Sequence, residues 1–292
     1  MRPPVPLLLL SLVLAGPASA EGLSGEPEPT VTLQLIPERA AVAPGERARV
    51  ALVFDVEPGW HIYWKNPGET GLATDATLSS IDSRIRGPEY PAPRLHLDDG
   101  PITSFVYEGR TALFWHVTAE HRGPLPLSAE ARWLVCRERC VYQTGVAQAS
   151  VLVGRRTPPT WSPDVAALRA QVPRWSSGVE VRAAVVADGS ALEVTLRAPA
   201  GSDLFPSVEL EQWATASTQR PFGPDTLFTL RGPAPAGRGQ ALLGWPGSWA
   251  EAVLRLPDGV ATVDVPLDSA AAAAVPPLPD LPPVPDPPGA RP

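Results

Sequence analysis

Cys136 and Cys140 are the only two cysteines in the 292 residues, and Arg137-Glu138-Arg139 separates them. A continuous strand would hold their Cα atoms about 13 Å apart, at a rise of about 3.3 Å per residue. A disulfide needs about 4.4–6.8 Å. The pair can bond only if the chain turns between them, with Cys136 leaving one strand and Cys140 entering the next. Three chemistries are then open. A permanent staple closing so short a loop contributes only roughly 2 kcal/mol in the chain-entropy model, little beside a large core. An exchange pair offers a thiolate nucleophile and an adjacent resolving thiol; Arg132, Arg137 and Arg139 would favour the thiolate, partly offset by Glu138. Two thiolates also suit soft Cu(I), with His61 as a possible further ligand. Zinc fits less well, because it takes four N/S ligands and none of the four histidines has ligand spacing with the cysteines. Spacing alone does not separate the staple from the exchange pair. No metal or other cofactor is expected.

A second constellation is Gly59-Trp60-His61-Ile62-Tyr63-Trp64. On a strand, Trp60, Ile62 and Trp64 share one face and His61 and Tyr63 the other. The plain reading is a core strand with ordinary aromatics. The functional reading sets His61 and Tyr63 beside the cysteines.

The elements that must position these residues read as strands. Val31, Leu33 and Leu35 alternate with polar residues. So do Val50, Leu52, Phe54 and Val56, then Leu113, Trp115 and Val117, then Leu127, Ala129, Ala131, Trp133 and Val135. Period-two patterning of this kind marks half-buried strands. Pro44-Gly45, Pro58-Gly59, Pro67-Gly68 and Gly123-Pro124 punctuate them as turns, which predicts a β-sandwich. From Pro67 to Gly109 the alternation fades among glycines and prolines, and a long ordered loop is expected there. Residues 155–177 form a connector. Ser162 as N-cap, Pro163 at the first helical position and Asp164 in the first turn predict a helix of about three turns, with Val165, Leu168 and Val172 on one face. Residues 178–268 return to strand patterning and predict a second immunoglobulin-like sandwich without a cysteine. The tail, 269–292, is rich in Ala and Pro and is expected to be extended. The fold class is therefore all-β, two immunoglobulin-like sandwiches joined by a short helix.

The N-terminus points to export. Arg2, the apolar run Leu7 to Ala15 and the small residues Ala18-Ser19-Ala20 fit a signal peptide, residues 1–20, cleaved after Ala20. The periplasm is the expected compartment, and it permits a disulfide. The net charge of −7 and the scattered arginines argue against nucleic acid, which needs a concentrated basic face.

Ordered motifs over residues 30–153 carry a resemblance. Gly59 to Gly68 (GWHIYWKNPG), Gly87-Pro88, Tyr90-Pro91-Ala92-Pro93, Tyr107-Glu108-Gly109, Trp133 to Cys136 and Cys140 together resemble the N-terminal periplasmic domain of the DsbD thiol:disulfide interchange family, most closely its ScsB-like branch. The resemblance implies an immunoglobulin-like domain, residues 28–154, whose cysteines carry electrons as part of a protein-disulfide reductase. It implies a membrane thiol transporter or thioredoxin-like protein as donor and a periplasmic disulfide protein as client. It implies a cap loop with an aromatic over the cysteines, for which Phe105 and Tyr107 are the matching residues, and an aromatic pair that falls on His61 and Tyr63, one aromatic having become histidine. The cysteine spacing departs from DsbD itself, which is wider. Thr103-Ser104 also stand before Phe105 where the family has acidic residues, with Asp98-Asp99 further back, so the proton-handling role of those acids does not carry over. The membrane conduit and thioredoxin domain of the family are not in the sequence, so the electron source is expected on another polypeptide. Copper handling and a fixed structural disulfide stand as the alternatives.

Overall fold

The computed structural model describes residues 31–97, 102–175, 179–185, 191–207, 210, 218–233 and 249–266. The expected signal peptide, the tail and Asp98-Asp99 lie outside the described residues. The chain is mostly β with one short helix. Eleven strands come first: β1 (Val31–Pro37), β2 (Ala41–Val42), β3 (Arg47–Val56), β4 (His61–Gly68), β5 (Asp75–Ser79), β6 (Ser83–Glu89), β7 (Arg94–Leu97), β8 (Thr103–Glu108), β9 (Arg110–Ala119), β10 (Gly123–Cys136) and β11 (Cys140–Val153). Helix α1 (Pro163–Ala170) follows. Then come β12 (Arg174–Trp175), β13 (Glu180–Val185), β14 (Ala191–Pro199), β15 (Asp203–Pro206), β16 (Thr218–Phe222), β17 (Asp225–Pro233), β18 (Trp249–Leu256) and β19 (Gly259–Pro266).

Two sheets, β1-β3-β9-β6 and β2-β11-β10-β4-β8-β7 with β5 on β10, face each other. Their alternating apolar residues make one core. Leu52, Phe54, Leu113 and Trp115 come from the first sheet, and Ile62, Trp64, Trp133 and Val135 from the second. Phe54 and Trp133 meet edge to face across the layer, 5.7 Å between centroids, a favoured aromatic geometry. Two further sheets, β12-β19-β18-β15 and β13-β14-β17-β16, enclose a smaller core that includes Leu192, Leu196, Leu230, Leu254 and Val265.

Helix α1 starts after Ser162 with Pro163 as expected, but it spans eight residues, about two turns. Val165 and Leu168 of the helix, with Val172 just beyond its end, pack on Ala51, Val53, Ala112 and Phe114 behind the first sheet. That covering explains why β3 is buried on both faces over much of its length.

The expected long loop between Pro67 and Gly109 is instead four short strands, β5 to β8. The pattern was faint for a physical reason. β6 and β7 lie at sheet edges, where Gly and Pro are tolerated and little burial is needed to hold a strand. β6 carries a cis Gly87-Pro88 bond and a register shift between Arg86 and Glu89.

The two halves touch directly. Phe205 on β15 packs edge-on against Phe105 at 5.3 Å and Trp64 at 6.3 Å. Around it, Asn66 Nδ2 donates to the Pro206 carbonyl at 2.9 Å, Lys65 pairs with Glu251 at 2.8 Å, and Arg255 Nη2 donates to the Ala92 carbonyl at 2.8 Å.

Candidate redox site

The β10–β11 hairpin places both cysteines at its tip. The strands are in register from Gly123↔Val153 to Cys136↔Cys140, and the Arg137 N–H donates to the Arg139 carbonyl to close the turn. The cysteines are joined by a disulfide with Cα atoms 4.1 Å apart. Their surroundings differ sharply. Cys136 is 2 % exposed, whereas Cys140 is exposed. Topology is the cause. β10 has β4 on its other side at this end, through Val135↔Ile62 and Cys136↔His61. β11 pairs with β2 only at Leu152 and Val153, the far end of the strand.

The arginines of the turn stack on one ring. Arg137 and Arg139 lie 4.9 and 5.8 Å from the Trp60 centroid, within cation–π range. Trp60 thus holds two positive groups at the hairpin tip. Arg132, expected to favour the thiolate as well, pairs with Asp75 at 2.7 Å and sits about 13 Å along the strand from Cys136.

Strand parity decides what else meets the sulfurs. Across the sheet, Cys136 faces His61, and His61 faces Glu108. Tyr63 pairs with Val106 on the same face, and Tyr63, Val106, Cys136 and Leu134 form one small apolar cluster. His61 is 4 % exposed. Its ring meets Tyr63 at 5.2 Å and His96 at 4.6 Å between centroids, and His96 Nδ1 lies 3.7 Å from Glu108 Oε1. So the structure brings Cys136, Cys140, His61 and Tyr63 together, and adds His96, Glu108 and Val106.

Phe105 and Tyr107 are not over the sulfurs, and that expectation is corrected. They alternate with Val106, so they point into the core between the sheets, with Trp64 and Phe205 as neighbours of Phe105. The Tyr107 hydroxyl donates to the Pro91 carbonyl at 2.6 Å, and burial pushes its pKa well above the usual phenol range. What covers Tyr63 is the segment after β4. Gly71 has φ +92°, and a Cβ there would stand 2.2 Å from Tyr63 Cε1, so only glycine lets the backbone lie on that ring. Thr74 N–H donates to the Tyr63 carbonyl beside it. Gly68 makes a similar close approach, its Cβ position 2.5 Å from the Thr103 carbonyl oxygen.

The sequence reading passed over His96 because β7 lies where a loop was expected. Glu108 stood inside a recognised motif, Tyr107-Glu108-Gly109, without a role. The signal for it was its pairing parity with His61, visible only once β4 and β8 are known to be neighbours.

Residues 32–150 match the sequence model of a family described as "Thiol:disulfide interchange protein DsbD, N-terminal". No curated protein matches the chain. Among solved structures, the chain is similar to the N-terminal periplasmic domain of ScsB from Proteus mirabilis. The TM-score is 0.53 at 14 % identity, over 81 % of this chain and 92 % of that one. At such identity the likeness is one of fold.

Proposed function

We propose, on the match of residues 32–150 to the DsbD N-terminal domain family, that the protein is a periplasmic thiol–disulfide exchange module. In this reading two immunoglobulin-like sandwiches, 28–154 and 178–268, flank the connector, 155–177. The first carries the redox pair and the second acts as a support. The observation that carries the reading is the unequal exposure of the two sulfurs. Exchange proceeds by a thiolate attacking one disulfide sulfur and expelling the other. A folded partner can reach Cys140 and not Cys136. The donor's thiolate bonds to Cys140 Sγ, the Cys136–Cys140 bond breaks, and its electron pair leaves on Cys136. The donor's second thiol then releases Cys140, and the module is reduced. Toward a client the steps reverse: the Cys140 thiolate attacks the client disulfide and Cys136 resolves the mixed species. The donor is a membrane thiol transporter or thioredoxin-like protein, and the client a periplasmic disulfide protein. Among the described residues no helix is long and apolar enough to cross a membrane.

Trapping tests this. In the native host, Cys136→Ser leaves Cys140 unable to resolve, so a higher-mass adduct that vanishes on reduction is expected on non-reducing gels. Cys140→Ser should give none. Adducts on neither variant, with both abundant in the periplasm, contradict exchange and favour a structural disulfide.

A second reading, Cu(I) binding by the reduced pair, is favoured by one observation: His61 stands directly across from Cys136, beside two thiolates that suit the ion. Stoichiometric copper in the reduced protein, abolished by His61→Phe, would support it.

A further inference from the structure

The disulfide face carries a line of titratable groups that exchange as described above leaves unused. Cys136 on β10 faces His61 on β4, which faces Glu108 on β8. Directly opposed residues in antiparallel strands hold their Cβ atoms about 4.5–5.5 Å apart, so the imidazole of His61 starts beside the Cys136 side chain. His61 is buried at 4 % exposure, and its ring meets that of His96 of β7, 4.6 Å between centroids with the planes tilted by 43°. His96 is partly open to solvent, with about a third of its side chain exposed, and it reaches Glu108 at 3.7 Å. Four strands thus contribute one residue each to a path from a buried sulfur to water.

The other charged groups on the surrounding elements have separate engagements. Lys65 pairs with Glu251 and Arg132 with Asp75. Glu69 accepts from the Thr103 N–H. Arg94 is exposed and lies opposite Val106 on the same face. Arg137 and Arg139 stack on Trp60, with the exposed Glu138 between them in sequence. Tyr63 supplies a phenol on the same face.

Resting on the exchange reading, we infer that His61 gives a proton to the Cys136 sulfur as it leaves and takes it back as it attacks, with His96 and Glu108 connecting His61 to solvent. When a thiolate bonds to Cys140 and the old S–S bond breaks, the electron pair on Cys136 Sγ would be a charge buried away from water, which is costly unless neutralised. The His61 imidazolium passes its proton to that sulfur, becomes neutral, and is recharged through His96. In the reverse step the Cys136 thiol hands its proton to neutral His61 and attacks as thiolate. Glu108 holds His96 in place at 3.7 Å. His61 and His96 are the proton-handling groups, and Glu108 is a positioning residue.

The test is the pH dependence of reduction by glutathione on the full chain, each rate divided by glutathione's own thiolate fraction. In the wild type the corrected rate should fall as pH rises, because the step needs the proton that His61 carries. His61→Tyr should flatten that profile and slow the reaction roughly 10-fold on the acid side. This lies below the usual range for general acid catalysis because a thiolate is already a tolerable leaving group. Glu108→Gln, on a half-exposed side chain, should leave folding intact and slow the reaction on the acid side, since His96 loses the partner that positions it. A flat wild-type profile, or a profile unchanged in both variants, overturns the relay and leaves exchange standing. A disulfide that glutathione does not reduce at any pH overturns both.

Discussion

Strands β4, β8 and β10 show two unlike faces. One face carries Ile62, Trp64, Phe105, Tyr107 and Val135, buried in the core, with Trp64 and Phe105 packed on Phe205 of β15. The other carries His61, Tyr63, Val106, Glu108 and Cys136. The same three backbones serve both, because side chains alternate across a strand. Aromatic content does not distinguish the faces, since each has its rings. What differs is the company of polar and sulfur atoms, and the pairing of β11 with β2 only at the end far from Cys140. Stability and chemistry are thus assigned to opposite sides of one sheet, and each can be perturbed from its own side.

The largest expected effect is on the core face. Trp64 is nearly inaccessible, and Trp64→Ala should cost about 3–5 kcal/mol through lost packing and the cavity left behind, read from urea unfolding. Under conditions where the variant stays folded, the cysteines should still exchange with glutathione. Loss of exchange in a folded Trp64→Ala protein would show that the two faces are not separable.

A smaller effect follows from the polar atom on the core face. Tyr107→Phe strands the Pro91 carbonyl, at about 1–3 kcal/mol. The tyrosines also set an alkaline limit. Tyr90, whose pKa burial and then Asp75 push up to about 12, and Tyr107, also raised by burial, keep their protons in the native state above pH 10. The unfolded chain releases them near about 10. Above that pH the native state therefore binds more protons than the unfolded one, and stability must fall as pH rises. The loss should begin near about pH 10 and be shallower in Tyr107→Phe. Stability that is level from pH 9 to 12 would contradict the placement of both phenols.

The smallest change belongs to the chemical face. Gly71→Ala adds a methyl where the backbone rests on Tyr63, at a φ that L residues rarely adopt, and should cost more than about 1 kcal/mol. Its sharper readout is kinetic. Lifting the segment from Tyr63 should speed reduction of the disulfide by glutathione, while Phe105→Ala, on the other face, should not. The reverse order would return the shielding role to Phe105.

Much of this was legible in the residues. Two cysteines separated by three residues require a turn, and a hairpin tip is what they make. Alternation in Gly59 to Trp64 assigned His61 and Tyr63 to one face before any neighbour was known. The placement of Phe105 was not legible, because the region around it reads as loop: β6 and β7 are edge strands with little burial to imprint a period. Without β8 no parity can be set against β4, and the resemblance alone sets Phe105 and Tyr107 over the sulfurs, where Val106 takes that side. The inequality of Cys136 and Cys140 was also hidden, since it arises from which strand has a neighbour at one end. The union of the two halves through Phe205 has no signature in either half alone.

The most direct measurement is the reduction potential of the Cys136–Cys140 pair in a glutathione buffer series, read by counting free thiols. Structural bridges of secreted proteins typically lie below about −300 mV. A pair that serves exchange through an exposed Cys140 is predicted to lie well above that value, within the range of periplasmic exchange proteins. A potential well below about −300 mV would make the bridge a permanent staple and contradict the redox role.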